Sequence, residues 1–293
     1  MEATGFKCVD PDFRIRCRPE DVVFGANRQR LAEGSQIFAS MFDDAEANAE
    51  GDPETMDLIE DSTVFAVFLK LLHEPPVPFT EEDITEQIKY ETKVIMKSPK
   101  NAIPLPILTK ILELADKYMV KPGIVQPLHT HLRAHRMVWP LKVYGLAVKY
   151  GLDEIAHDTS MFLIHPPLHT YSVEEISVIP TAEALQKLLL LQHHRSIRLR
   201  EILHDEHLFP HHYGECPRHA KFAYGLWASK KFRLLGKVNS GTDVAAEMTA
   251  SLKDLGDCET CYKGWSAATE MLAYKCRRVP RRTDKMPLPD QPK

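Results

Sequence analysis

Glycine is scarce, with 13 in 293 residues. A phosphate-cradling loop needs several glycines close together, because only a residue without Cβ lets backbone amides close on a phosphate. No G-x-G-x-x-G, no G-x-x-x-x-G-K-[ST], no G-x-S-x-G elbow and no kinase signature occurs. Long apolar runs are missing too. The run Leu188 to Leu191 has four residues and Val64 to Leu69 has six, far below the roughly 20 residues of a membrane helix. Charge of one sign is also lacking: 37 Lys and Arg against 41 Asp and Glu leave a net −4. No global field therefore draws the chain to nucleic acid or to a membrane surface. The opening residues carry no basic stretch followed by an apolar one, so no secretory signal is expected there. The chain reads as intracellular, in cytoplasm or nucleus. Six cysteines in a reducing compartment are expected to be free or metal-bound rather than paired as disulfides.

Apolar content is sufficient. Hydrophobic residues make up 44% and charged residues 27%, so a chain of this length can bury a sizeable core without staples. Length alone allows about two domains. The 21 prolines imply many helix stops.

Phe13, Ile15 and Cys17 alternate with Arg14, Arg16 and Arg18, a period of two that predicts a half-buried strand. Pro19-Glu20-Asp21 marks a turn, and Val22-Val23-Phe24 a second strand. Leu31, Phe38, Met41 and Phe42 recur at helical spacing, and Gly34-Ser35 divides them into two short helices. Residues 43–61 carry nine acidic side chains. They read as a solvated loop or as a docking surface for a basic partner. Met56, Leu58 and Ile59 predict a short strand. Phe65, Phe68, Leu69 and Leu72 share one face of the next helix, and Thr80 with Asp83 resembles a capping box.

From Pro104 the pattern is helical, with helices expected near 123–135, 139–150 and 153–164. Leu114-Ala115-Asp116-Lys117-Tyr118-Met119-Val120 is echoed 32 residues later by Leu146-Ala147-Val148-Lys149-Tyr150-Gly151-Leu152. Two helical hairpins built on one plan are inferred, with the Tyr closing each last turn. Ser172 with Glu175 is a capping box, and Thr181 is the expected N-cap of a helix over 182–205.

Several stretches together resemble the BTB/POZ family. They are Asp12-Phe13-Arg14-Ile15, Val22-Val23-Phe24, Leu31-x-x-x-Ser35-x-x-Phe38-x-x-Met41-Phe42, Leu58-x-Glu60-Asp61 with Phe65, Phe68 and Leu69, and Ala115-Asp116-Lys117-Tyr118. His165-Pro166-Pro167-Leu168 and the later Cys/His pairs are similar to those of fungal BTB-domain-containing proteins. Asn27 stands where the family usually has His, and His73 lies near a usual aromatic. The resemblance implies an α+β fold: a BTB/POZ-like domain over 10–120, then a mainly α-helical region. That region divides into a helical extension over 121–205, a Cys/His-rich part over 206–280 and a disordered tail over 281–293. The implied function is contact rather than chemistry, with no catalytic residues. BTB domains commonly form homodimers, and some act as adaptors that link substrates to cullin-type ubiquitin ligases or recruit transcriptional co-regulators. The expected dimer face is the first strand with the following helices, through Phe13, Ile15, Leu31, Ser35 and Phe38.

Cys216-Pro217-Arg218-His219 and Cys258-Glu259-Thr260-Cys261 form two half-sites separated by 38 residues. Each C-x-x-[CH] turn presents two N/S ligands on one side, so a structural zinc site of Cys216, His219, Cys258 and Cys261 is one reading. Unbound structural thiols and a redox C-x-x-C are the others, the last without a βαβ context. Trp227 and Trp265 follow the pairs closely and are candidates to shield the site. A zinc-bearing enzyme or nucleic-acid module in this half is the alternative function. His204-Asp205-Glu206-His207 is not H-E-x-x-H, and its histidines read as solvated or packing residues. The six basic residues of 275–285 read as a solvated tail, an import signal or a phosphate contact, with no interleaved aromatics for base stacking.

Overall fold

The computed structural model describes residues 5–47, 55–80, 101–210, 214–255 and 258–287. The chain divides into two compact units, Met1–Val138 and Trp139–Lys293. No helix among the described residues is long and apolar enough to cross a membrane. The fold is α+β, with one small sheet and otherwise helices among the described residues.

The first unit begins with β1 (Phe13–Cys17) and β2 (Val22–Ala26), an antiparallel pair with Phe13 opposite Ala26 and Cys17 opposite Val22. Helices α1 (Arg28–Gly34) and α2 (Gln36–Ala47) follow, then β3 (Thr55–Leu58). β3 pairs parallel to β1, Ile15 opposite Met56, in the order β2-β1-β3. A parallel neighbour cannot be reached by a tight turn, and α1 and α2 supply the crossover. Among the described residues, α3 (Ser62–His73), α4 (Leu105–Lys117) and α5 (Pro122–Ala134) follow.

The expected alternation along β1 holds. Phe13, Ile15 and Cys17 are buried, and the intervening arginines are exposed. What they are buried against differs from expectation. Phe13, Ile15, Leu31, Ser35 and Phe38 are each at most 3% exposed within the single chain. Phe38 stacks on Tyr118 at 5.2 Å, and Phe13 meets Phe42 edge-on at 5.1 Å. β1 is the central strand, so neither of its edges is open. The five side chains expected at a dimer face instead fill the unit's own core.

Ser35 parts α1 from α2. Its backbone is extended (φ −138°) and bridges to Val120. Its Oγ donates to the Tyr118 carbonyl at 2.5 Å and accepts from the Phe38 amide at 3.3 Å. Asn27 caps α1 by accepting from the Arg30 amide at 3.1 Å. The Asn27 amide in turn donates to His73 Nε2 at 3.1 Å. The acidic run ends on residues with structural partners: Asp57 accepts from Arg18 at 2.8 Å, Asp61 caps α3, and Glu60 accepts from Lys117. The Thr80–Asp83 capping box reaches outside the described residues. The chain on both sides of 81–100 is held by α5 and the turn after it. The Phe79 amide donates to Thr130, the Ile103 amide to His131, and His135 to the Ile103 carbonyl.

The echoed segment is a helix stop used twice. In the first copy the Val120 amide donates to the Ala115 carbonyl at 2.9 Å and the Met119 amide to Asp116 at 3.1 Å. In the second the Leu152 amide donates to Ala147 at 2.8 Å and the Gly151 amide to Val148 at 3.2 Å. This double bond pattern is the Schellman motif, which places its C′ residue in the left-handed region. Gly151 has φ +66° and Met119 has φ +48°. A side chain there costs about 1–2 kcal/mol, partly offset by the flexibility glycine adds to the unfolded chain. Met119→Gly is therefore expected to stabilise the first unit by about 0.5–1 kcal/mol. A higher melting midpoint by circular dichroism checks it, and an unchanged or lower one rejects it.

The second unit holds α6 (Pro140–Lys149), α7 (Asp153–Ser160), α8 (Val173–Ile176) and α9 (Ala182–Asp205). α10 (Ala220–Leu235), α11 (Val244–Thr249) and α12 (Glu259–Arg277) follow. The Ser172–Glu175 capping box closes in both directions, and Thr181 caps α9. The expected boundaries at 120/121 and 205/206 fall elsewhere. α5 lies in the first unit, and Leu199 and Leu203 of α9 share one core with Trp227, Trp265 and Leu272. The Cys/His-rich stretch is thus part of a larger helical unit. The start of the expected tail is docked as well. Arg282 pairs with Asp158 at 2.6 Å, and the Thr283 hydroxyl bonds His157 Nδ1 at 2.8 Å.

Candidate metal centre

The two Cys/His half-sites sit at the N-terminal ends of two helices. Cys216 precedes α10 by one turn, its carbonyl accepting from the Ala220 amide at 3.0 Å, and His219 is the N-cap residue. Cys258 is the N-cap residue of α12, and Cys261 lies in its first turn. Pro217 supplies a fixed φ in the first turn and no amide to satisfy. The 38 intervening residues run out along α10 and return through α11, so a long sequence interval becomes a short distance in space.

One ligand atom from each residue lies within 4.8 Å of all the others. Cys216 Sγ is 3.6 Å from Cys258 Sγ and 3.7 Å from His219 Nδ1. These sulfurs are too far apart for a disulfide, which needs about 2.05 Å. Cys216 and Cys261 are buried, Cys258 is half-buried and His219 is exposed. The four residues could hold a metal ion. Helix N-termini favour thiolates, because unpaired amides and the helix dipole face them. The Cys258 thiol is lowered, first by the Cys261 amide and then by His219. The Cys261 thiol is raised, by burial and by the neighbouring Cys258 sulfur. Without a cation the cluster thus resists carrying several negative charges. A divalent ion supplies the charge that lets all its thiols ionise together.

The surroundings are apolar and firmly placed. Cys216 and Cys261 belong to the core that contains Trp227 and Trp265. The two indoles meet edge to face at 4.8 Å, and Trp265 donates to the Met248 carbonyl at 3.0 Å. Phe209 lies over Gly264 so closely that a Cβ there would fall 2.3 Å from the ring.

No match was found among protein-family models, curated proteins or solved structures. The geometry of the chain therefore carries the functional reading. The expected ligand residues are brought together, whereas the five expected interface residues are not on a surface. Glu206 in the His204–His207 stretch is buried and paired with Lys275 at 2.6 Å, while His204 contacts only the adjacent Asp205 among the described carboxylates. That stretch contributes no ligand to the centre. His211 and His212 lie outside the described residues. One structurally important residue escaped sequence reasoning. Arg195 sits on the apolar stripe of α9 between Leu191 and Leu199, and a charge on that stripe is the signal that marks it.

Proposed function

We propose that the chain is a protein–protein interaction scaffold: a BTB/POZ-like first unit that pairs with a second copy, and a second unit fastened by a structural zinc ion. The observation that carries the zinc reading is the closed set of four N/S donors. Zinc–sulfur bonds of about 2.3 Å at the tetrahedral angle place two sulfurs about 3.8 Å apart, and a sulfur and an imidazole nitrogen about 3.6 Å apart. The separations of 3.6 and 3.7 Å sit close to those edges. Catalytic zinc keeps one position for water, whereas four protein ligands leave none. The centre therefore serves folding, in line with a non-enzymatic chain.

For the first unit, the support is the order of elements and the junction they make. The order of elements, two strands, two helices, a third strand and then further helices, is one that resembles the BTB/POZ fold. The Ser35 to Tyr118 hydrogen bond joins two of the resembling stretches. Pairing uses surface outside the core that Phe13, Ile15, Leu31, Ser35 and Phe38 fill, and an adaptor role of the ubiquitin-ligase or co-regulator type follows from the family. Light scattering of the full chain at tens of micromolar tests pairing. The mass of two chains is expected, and the mass of one rejects it.

A further inference from the structure

We propose that the outer face of α10 is a docking surface for an acidic amphipathic helix of a partner protein. The inner face of α10 is settled by Ala220, Ala223, Trp227 and Leu234, all buried. On the opposite side, Phe222 is 59% and Phe232 81% exposed. Two exposed rings on the side of the helix turned away from the core leave apolar surface that a partner can cover. At 100° per residue both lie within about 40° of the direction opposite Trp227.

The chemistry between and around the two rings narrows the occupant. Phe232 follows Phe222 by ten positions, so they stand about 15 Å apart along the axis. Gly225 and Ser229 lie between them on the same face, and a Cβ added at Gly225 would meet nothing within 4 Å. The notch so formed takes one helix, whose backbone with side chains is about 10 Å across. A lipid surface asks instead for a continuous apolar face, which the glycine and serine interrupt. The charge is one-sided. No Asp or Glu occurs between Glu215 and Asp243, while Arg218, Lys221, Lys230, Lys231, Arg233 and Lys237 do. Lys230 pairs with Glu247, and Lys231 donates to the carbonyls of His204 and Glu206. Arg218, Lys221, Arg233 and Lys237 are exposed and have no ion-pair partner among the described residues, and helical spacing puts Lys221 and Arg233 within about 60° of the direction opposite Trp227. Rim cations steer acidic partners, and central aromatics anchor them.

This inference rests on the scaffold reading and names the chemistry of one partner. The test is a fluorescence-anisotropy titration of the full-length protein. The probe is an 18-residue helical peptide with a leucine stripe and glutamates elsewhere. A lysine version of it, a single-stranded oligonucleotide and phosphatidylserine vesicles serve as comparisons. Saturable, salt-sensitive binding of the acidic peptide is expected, weakened at least about tenfold by Phe222→Ser with Phe232→Ser. Both rings are exposed, so the melting midpoint of that variant should stay near that of the parent chain. Failure of the acidic peptide to bind, equal binding by the variant, or preference for oligonucleotide or vesicles overturns the proposal. Light scattering and zinc content on the same samples report separately on the scaffold itself.

Discussion

A strong chelator is expected to unfold residues 139–293 while the first unit keeps its structure. Structural zinc sites contribute apparent free energies of about 10–16 kcal/mol near neutral pH. A whole domain is stable by only about 5–15 kcal/mol, so one such centre decides whether the unit folds. Here the ligands tie the N-terminal ends of α10 and α12, and the sulfurs of Cys216 and Cys261 belong to the same core as both indoles. The readout is unusually clean. All three tryptophans, Trp139, Trp227 and Trp265, lie in the second unit, so indole fluorescence reports that unit alone. Near one equivalent of zinc per chain is expected by elemental analysis, with release as the pH falls and thiolates and imidazole take up protons. Cys261→Ala should abolish both the zinc and the response to chelator. The competing reading, packed thiols without metal, predicts a different pattern. Chelator would then leave the fluorescence unchanged, and Cys258→Ser, at a half-buried site, would cost only a few tenths of a kcal/mol. Less than about 0.2 zinc per chain after metal-replete expression would sink the centre.

Arg195→Met is expected to cost the second unit about 3 kcal/mol. Arg195 is 6% exposed and points its guanidinium at three backbone carbonyls: Ser240 at 2.9 Å, Val279 at 3.0 Å and Pro280 at 2.9 Å. Burial lowers it to about 10, so it is still charged at neutral pH. Two effects oppose each other on its removal. The buried charge no longer needs desolvation, which favours the variant by a few kcal/mol. Against that, the carbonyls of buried Ser240 and Val279 lose a charged donor and are left unpaired, at about 1–3 kcal/mol each, and the fork that ties 240 to 279–280 is gone. The second effect wins because all three acceptors stay in place and a methionine offers no donor to any of them. Arg195→Lys separates fork from charge. An ammonium keeps the charge but cannot span three carbonyls, so it should be no better than Met. Urea midpoints followed by tryptophan fluorescence measure both. A lysine variant as stable as the parent would show that charge rather than geometry holds the site.

Much of the local structure was legible. The β1 alternation, the α1–α2 break at Gly34-Ser35, the Ser172–Glu175 capping box and the Thr181 cap all depend on neighbours within a few residues. The two Cys/His pairs were legible as half-sites for the same reason, since a three-residue interval sets which side of one turn the donors face. The repeated helix stop was visible as an echo, although its left-handed residue was marked in only one copy, by Gly151.

What lay beyond the sequence was which surfaces meet. Periodicity marks Phe13, Ile15 and Leu31 as buried but is silent on whether a second molecule or the same chain covers them. Only the pairing of β3 beside β1 makes that strand central and closes both its edges. In the same way, nothing local tells Cys216 that it will meet Cys258. Their approach depends on α10 leading out, α11 leading back and the Trp227–Trp265 contact setting the angle. Local hydrogen bonds and side-chain spacing act over a turn or two and are written residue by residue. Burial against a partner element is a sum over distant contacts, and it exists only once the helices have packed.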